Sequence, residues 1–480
     1  MSLPHVGGDR DDLPESTTVS SRWARLARHL YTVGWWLALP LVMLYLLKRS
    51  WRQPAYRQHW PERMGFVARS SAFAAAGGGP TVGNPATQRP EAQCPIIWVH
   101  AVSVGETRAA QPLIERLLAS YPDHRILLTH MTPTGRETSQ TLFGDRVGRC
   151  YLPYDIPSFI ARFLGRIRPV LGLVMETELW PNLVAGSRAA GVPLLLVNAR
   201  LSEKSLAKGQ RSGALIIPAL SGLSAVVAQT EPDARRLNRL GRRDVPVVGN
   251  IKFDIEPDPQ QLARGRAWRM AIGRPVVLLA SSRPGEEREI LQAWAQVGRP
   301  ATVLAIVPRH PQRFDEVRAL MAEFAAQAAP AVQAATTLLS RADLAAGQGE
   351  SAGLVLGDSM GEMFAWYAMA DVVIMGGTLQ PFGGQNLIEP CACGKPVVVG
   401  PSLYNFEEVG RQALQVGAAR QVDSAQAALT LAGSLLDNAE QLAAMSQAGS
   451  AFAAAHRGAT GRTLQIIDRW LSATPPRTRA

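Results

Sequence analysis

The chain has few cysteines, no recognisable metal knuckle and only one long uncharged apolar run. Its four cysteines are Cys94, Cys150, Cys391 and Cys393. Cys391-Ala-Cys393 is too short for a CxxC knuckle, and no second pair or histidine completes a metal site. So few thiols exclude a disulfide scaffold and read as reduced, partly buried side chains in a cytosolic compartment. No GxGxxG follows the first strand-like run and no GxxxxGK[ST] occurs, which argues against dinucleotide and P-loop sites. The one Asp-x-Asp, Asp9-Arg-Asp11, lies in the N-terminal tail, so a metal-bridged nucleotide-sugar site of that style is not expected.

What is present is globular. At 480 residues the chain is too long for one ordinary core and implies two or three domains. Hydrophobic residues make up 47% and charged residues 19%, values of neither a disordered nor a multi-span membrane protein. The net charge of +11 calls for an anionic partner. The arginines are dispersed and form no basic tail, which favours a membrane surface and an anionic substrate over nucleic acid.

The uncharged run is LYTVGWWLALPLVMLYLL, residues 30–47. As a helix it would be about 27 Å long, barely enough for a hydrocarbon core of about 30 Å. Trp35 and Trp36 suit an interface, and Pro40 would kink a full span. Arg22, Arg25 and Arg28 precede it, while Lys48, Arg49, Arg52 and Arg57 follow, a small excess that favours a cytoplasmic C-terminal side. No small-residue cleavage site accompanies it, so a removed signal peptide is disfavoured. A spanning helix and a helix lying in the interface both fit.

Residues 1–29 read as a disordered tail, 30–48 as a membrane anchor, and 70–93 as a flexible Gly- and Pro-rich insert. From residue 95 onward, short β-branched runs alternate with helical stretches: PIIWVH, RILLTH, VLGLVM, PLLLVNAR, SAVVAQ. After GNIKFDIEPDP the rhythm restarts with PVVLLASS, ATVLAIVPR, GLVLGD, DVVIMGG and PVVVG. Such alternation marks parallel sheets covered on both faces. The expected architecture is α/β: two Rossmann-type domains, 49–256 and 257–480, facing a cleft, with the last helix packing back on the first domain. Ligands of such sheets sit beyond the carboxyl ends of the strands.

The unusual residues cluster at those strand ends. His100-Ala-Val-Ser103-Val-Gly105-Glu106 ends the first strand. Glu106 facing a cleft could act as a general base on a hydroxyl, and would serve equally as a helix cap. A helix N-terminus lowers its pKa, so partial burial would be needed to restore basicity. Glu176 and Glu178 of METELWPN would point to one side if extended, with Pro181 starting a helix. Thr132, Thr134, Gly135 and Arg136 form a polar turn able to hold hydroxyls. In the second half, Pro308-Arg309 ends a strand and suits phosphate or carboxylate. Ser359-Met360-Gly361-Glu362-Met363 offers backbone donors at a helix start, and Asn386 and Glu389 lie one turn apart after a glycine-rich loop.

Together these segments resemble the 3-deoxy-D-manno-octulosonic acid (Kdo) transferases of lipopolysaccharide assembly. The resemblance runs from about Tyr56 to the last helix and rests on YRQHWPERMGF, IWVHAVSVGET, MTPTGRE, METELWPN, NARLSEKS, GNIKFD, SSRPGEE, IVPRHPQRF, GDSMGEM, GGQNLIEP and GPSLYNF. It implies a GT-B-like fold with an acceptor-binding N-terminal half and a CMP-sugar-binding C-terminal half. The implied activity is inverting, metal-independent transfer of Kdo from CMP-Kdo to lipid A precursor (lipid IVA), on the cytoplasmic face of the inner membrane. By position, Glu106 would be the base, with Glu178 and Glu176 supporting the reacting centre beside Ser103, Gly105, Thr132, Thr134 and Gly135. Pro308, Arg309, Ser359, Gly361, Glu362, Met363, Asn386 and Glu389 would hold CMP. Arg57, Arg63, Arg136, Arg200 and Lys204 would meet acceptor phosphates, and Lys252 the donor carboxylate or such a phosphate. Two positions depart from the family: Gln385 stands where a histidine is frequent, and SSRPGEE, with Arg283, where STHxGEE is. Other readings are a sugar-nucleotide 2-epimerase, a glycosyltransferase with another donor, and a non-catalytic lipid-binding protein.

Overall fold

A computed structural model describes residues 21–67, 72–73, 94–297, 301–327 and 337–473. The expected tail up to residue 20 and nearly all of the 70–93 insert lie outside the described residues. The chain divides into two compact units, one running to Asp254 and resuming at Gly458, the other Ile255–Arg457.

The first unit is built on a six-stranded parallel sheet in the order β3-β2-β1-β4-β5-β6. Its strands are β1 (Ile96–His100), β2 (Arg125–His130), β3 (Gly148–Tyr151), β4 (Leu171–Met175), β5 (Leu194–Ala199) and β6 (Ala225–Ala228). Every residue of β1, β4 and β5 is buried, as a sheet covered on both faces demands. Alternation along β1 divides the two cores. Ile96 and Trp98 join Phe163, Leu164, Leu183 and Val184 on one face. Ile97 and Val99 join Leu113, Leu117 and Ile467 on the other. Ile467 belongs to the C-terminal helix Ala459–Ala473. Asp254 fixes its start by accepting the N–H groups of Gly458 (2.8 Å) and Thr460 (2.7 Å).

The second unit carries a seven-stranded parallel sheet, β13-β12-β11-β7-β8-β10-β9. These strands are β7 (Val276–Ser282), β8 (Val303–Pro308), β9 (Leu338–Ser340), β10 (Leu354–Leu356), β11 (Val372–Met375), β12 (Val397–Val399) and β13 (Ala419–Gln421). Runs of valine, leucine and isoleucine again leave the central strands without exposed positions.

Helix α1 spans Ser21–Ser50 with Pro40 inside it. Residues 21–29, expected in the tail, are therefore helical. The basic turns before Leu30 and after Leu47 simply extend the helix at either end. The half-buried or buried positions of α1 are Ala24, Ala27, Arg28, Tyr31, Thr32, Trp35, Ala38, Leu39, Val42, Met43, Leu46 and Ser50. That spacing of three and four is one face of a helix, partly covered by the first unit, with Leu46 and Ser50 alone buried. Trp35, Leu39, Val42, Met43 and Leu46 pack with Tyr56, Tyr154, Ile156 and Phe159. The opposite face leaves Leu30, Val33, Leu37, Leu41 and Leu44 exposed. A uniformly apolar segment shows no such period in sequence, so only the fold distinguishes its two sides.

Candidate active site

In the first sheet the strand order reverses between β1 and β4, the point where ligands of doubly wound sheets bind. The turn after β1 enters the short helix Val104–Ala109, capped by Ser103, whose Oγ accepts from the Glu106 N–H. Glu106 reaches back and accepts the Val102 N–H through Oε2 at 2.5 Å. Capping and a reactive carboxylate are thus combined in one residue. Burial pushes Glu106 up from 4.5 to about 7; the Val102 N–H opposes this, Glu178 and Glu176 add to it, and Arg200 offsets part of it. Gly105 leaves open space on the exposed side of this turn, with only Ser103 Oγ near an added Cβ, at 3.9 Å.

The turn after β4 supplies the other carboxylates. Glu176 is not extended: at φ 55° it is left-handed, so the simple pairing of Glu176 and Glu178 on one side of a strand does not form. Its N–H donates to Val197 O at 3.0 Å, and its carboxylate pairs with Arg200 Nε at 3.1 Å. Glu178 Oε2 accepts from the Trp180 indole at 2.8 Å. Burial first, then Glu176, push Glu178 up, while the indole pulls it down.

A third strand end completes the arrangement. Thr132 caps the helix Pro133–Phe143 by accepting from Gly135 N at 3.1 Å. A Cβ on Gly135 would lie 3.0 Å from Thr132 Oγ1 and 3.3 Å from both Ser103 C and Val102 O. Glycine here lets that helix start meet the Val102–Ser103 turn, bringing Ser103, Thr132 and Gly135 together, with Thr134 exposed beside them. His100 and His130, at the ends of β1 and β2, are buried; desolvation lowers them to about 4 and about 3, so both are neutral at pH 7.

The basic residues separate into two kinds. Arg63 cannot meet a phosphate: it is 2% exposed, donates to Met131 O at 3.1 Å, and sits 3.9 Å from the centre of the Tyr151 ring. Arg136 is held by Glu62 at 2.9 Å and is largely covered. Both lie where YRQHWPERMGF and MTPTGRE pack together, a use that sequence spacing does not distinguish from ligand binding. Arg57, Arg200, Lys204 and Lys252 are exposed. Of these, Arg57 donates to Ser50 Oγ at 2.8 Å, and Arg200 carries the pair with Glu176.

In the second unit the candidate donor residues lie at or beyond the ends of β8, β10 and β11. The Arg309 N–H donates to Ser282 O at 3.1 Å, tying the β8 end to β7. Its exposed guanidinium, with those of Arg283 and Arg313, helps hold His310 below its ordinary value, after burial. Arg283 also contacts His310 at 2.6 Å and covers the Phe382 ring at 4.6 Å. Asn386 donates to Glu389 at 3.3 Å, so this pair does share a face. Burial, then the charge of Glu389, raise the buried Tyr367 phenol, and Arg309 lowers it.

Ser359, Gly361 and Met363 lie in the turn leading into the helix Met363–Met369, with Gly361 left-handed at φ 78°. Glu362 is occupied by partners of its own. Arg341 binds it at 2.9 and 3.0 Å, Arg264 pairs with it as well, and Arg341 above all lowers it to about 2. It builds the turn rather than offering a vacant carboxylate.

Several important residues escaped the sequence reading. Glu286 and Glu287 of SSRPGEE are fully buried. Glu286 accepts the N–H groups of Gly377 (2.7 Å), Arg283 (2.8 Å) and Leu379 (3.1 Å), shaping the glycine-rich loop. Glu287 accepts Ser282 Oγ and Arg313 Nη1, both at 2.6 Å. Two adjacent carboxylates after Pro-Gly at a strand-to-helix turn were the available signal. Trp180, two residues beyond Glu178, carries no such signal in METELWPN, because its hydrogen bond to Glu178 appears only in the fold.

A family model described as 3-Deoxy-D-manno-octulosonic-acid transferase (kdotransferase) matches residues 58–255. A 3-deoxy-D-manno-octulosonic acid transferase of Bordetella pertussis is 42% identical over 93% of this chain and 100% of its own. One from Haemophilus influenzae is 33% identical over 92% of this chain and 99% of its own. Among solved structures, a UDP-GlcNAc 2-epimerase from Neisseria meningitidis superimposes with a TM-score of 0.52 at 14% identity, covering 78% of this chain and 99% of that one. At that identity the likeness concerns the fold alone, which is GT-B-like.

Proposed function

The chain belongs to the 3-deoxy-D-manno-octulosonic acid transferase family, and on that premise we propose that it transfers Kdo from CMP-Kdo to a hydroxyl of lipid A precursor with inversion. The observation that carries this reading is Glu106, a half-buried carboxylate at the β1/β4 reversal, raised to about 7 among Glu176 and Glu178. A base in that range is half-ionised at neutral pH and strong enough to accept a hydroxyl proton.

In the proposed step the acceptor oxygen forms a bond to the anomeric carbon of Kdo as the carbon–oxygen bond to the CMP phosphate breaks. The hydroxyl proton passes to Glu106, and CMP departs. Glu178, held by Trp180, lies close enough to act on Glu106 and stabilises positive charge developing on the sugar. Arg309, with Asn386 and Glu389 nearby, would hold CMP, its guanidinium balancing phosphate charge and the carboxylate accepting ribose hydroxyls. With guanidinium groups meeting the leaving phosphate, the reaction needs no metal. Arg57, Arg200, Lys204 and Lys252 are the accessible cations for acceptor phosphates and the donor carboxylate.

The membrane reading follows from α1. Helix Arg22–Ser50 is long and apolar enough to cross a membrane, but the half-covered face from Tyr31 to Ser50 rests on the catalytic unit, which favours a helix lying in the interface. We therefore place α1 in the cytoplasmic interface of the inner membrane, its exposed leucines toward lipid and its basic ends among headgroups. The test is a reconstitution of the chain with CMP-Kdo and lipid A precursor, followed by mass spectrometry. Addition of one or more Kdo masses is expected; an unmodified acceptor would reject the reading.

A further inference from the structure

We propose that α1 is a positioning element of the reaction centre as well as a tether: Thr32 and Trp35 fix the segment Glu178–Asn182. This rests on the reading of Glu106 and Glu178 above.

The segment has an unusual start for a helix. Trp180 is the N-cap of Pro181–Ala189 and makes no side-chain cap bond. The orphan N–H groups of Asn182 and Leu183 are instead taken by Asp155, at 3.0 and 2.7 Å. Asp155 is 1% exposed, and Tyr31 of α1 lies near enough to act on its carboxylate. Asn182 is also buried, and its amide donates to Thr32 Oγ1 at 3.0 Å and to Asp155 O at 2.7 Å. Trp35 then stacks on Tyr154 (5.7 Å between centroids) and lies 6.2 Å from Trp180. Trp180 is the residue whose indole holds Glu178.

An unbroken line of contacts therefore runs from α1 to the carboxylate that influences Glu106. A buried polar network of this kind is costly when half-satisfied, so losing the α1 side disturbs the rest. A simple tether would need only exposed leucines. The tryptophan, threonine and tyrosine on the docked face are explained by positioning.

The test uses the full chain in detergent micelles with CMP-Kdo varied up to saturation, where membrane recruitment is not limiting. Trp35→Ala is expected to lower kcat about tenfold or more, to leave KM for CMP-Kdo unchanged, and to move the acidic limb of the pH profile downward, because a Glu178 no longer fixed near Glu106 raises it less. Trp35→Phe should restore most of the rate. Thr32→Val should act in the same direction more weakly, and Val42→Ala, which trims the docked face against the Tyr56–Phe159 cluster, should leave kcat intact. Amide exchange in residues 178–183, read on the same folded variants, should quicken in Trp35→Ala and Thr32→Val only. This reading is independent of turnover, so a wild-type chain that transfers no Kdo would reject the function without deciding the coupling. Wild-type kcat and unchanged exchange in both Trp35→Ala and Thr32→Val would overturn the proposal.

Discussion

Two glutamates at turns leading into helices, Glu106 and Glu362, are held in opposite ways. Glu106 meets one backbone N–H, partial burial and two further carboxylates, and rises to about 7. Glu362 meets Arg341 and Arg264, and falls to about 2. The first environment leaves a proton acceptor near neutrality; the second makes a permanent ion whose role is to shape the turn around Ser359 and Gly361. Sequence alone ranks them alike, since both precede or open a helix after a glycine. The difference lies in which charges the fold brings near them.

The largest expected effect follows from removing the poised member. Glu106→Gln should lower kcat/KM by about 10²–10⁴-fold, the usual contribution of a general base, with CMP affinity unchanged. A retained rate would reduce Glu106 to a helix cap. Next comes the donor side: Arg309→Ala should weaken CMP binding about tenfold by calorimetry, as loss of one charge-assisted hydrogen bond would. Unchanged affinity would move the donor elsewhere.

A smaller effect tests the field around Glu106. Arg200 lowers its pKa and Glu176 raises it. Arg200→Gln should therefore move the acidic limb of the pH–rate profile to higher pH, and Glu176→Gln to lower pH, each by less than about one unit for charges so near solvent.

Stability should divide the two glutamates by sign. Glu106 binds its proton more tightly folded than unfolded, so its contribution is fullest below about 4.5 and is lost as pH rises through about 7. Glu106→Gln should accordingly raise Tm at pH 8, by about 2–4 °C for each kcal/mol relieved, and do little at pH 4. Glu362 binds its proton less tightly when folded, so its contribution is present above about 4.5 and is lost toward about 2. Glu362→Gln should lower Tm at pH 7, a difference that narrows on acidification. Smallest of all, EDTA should leave the rate within about twofold if cations of the chain meet the leaving phosphate alone.

Much of this was legible in the sequence. Near-continuous apolar strands and their alternation with helices marked both parallel sheets, because a doubly covered strand has no polar face to display. Ser103, Gly105 and Glu106, or Asn386 and Glu389, stood out because turn chemistry and carboxylates coincide at strand ends. Partners distant along the chain were not legible. Nothing local reveals that Arg63 is spent beneath Tyr151, that Glu176 turns left-handed to meet Arg200, or that Glu286 gathers the N–H groups of a loop some ninety residues away, Gly377 among them. The docked face of α1 was hidden for another reason: where every residue is apolar, periodicity carries no information.

The central claim is that the fold tunes Glu106 to act as a base near neutrality. It is tested most directly by the pH dependence of kcat/KM for Kdo transfer in the wild type and in Glu106→Gln. The wild type should show an acidic limb with an apparent pKa of about 7, and the residual rate of Glu106→Gln should lack it. The same limb persisting in Glu106→Gln would contradict the account.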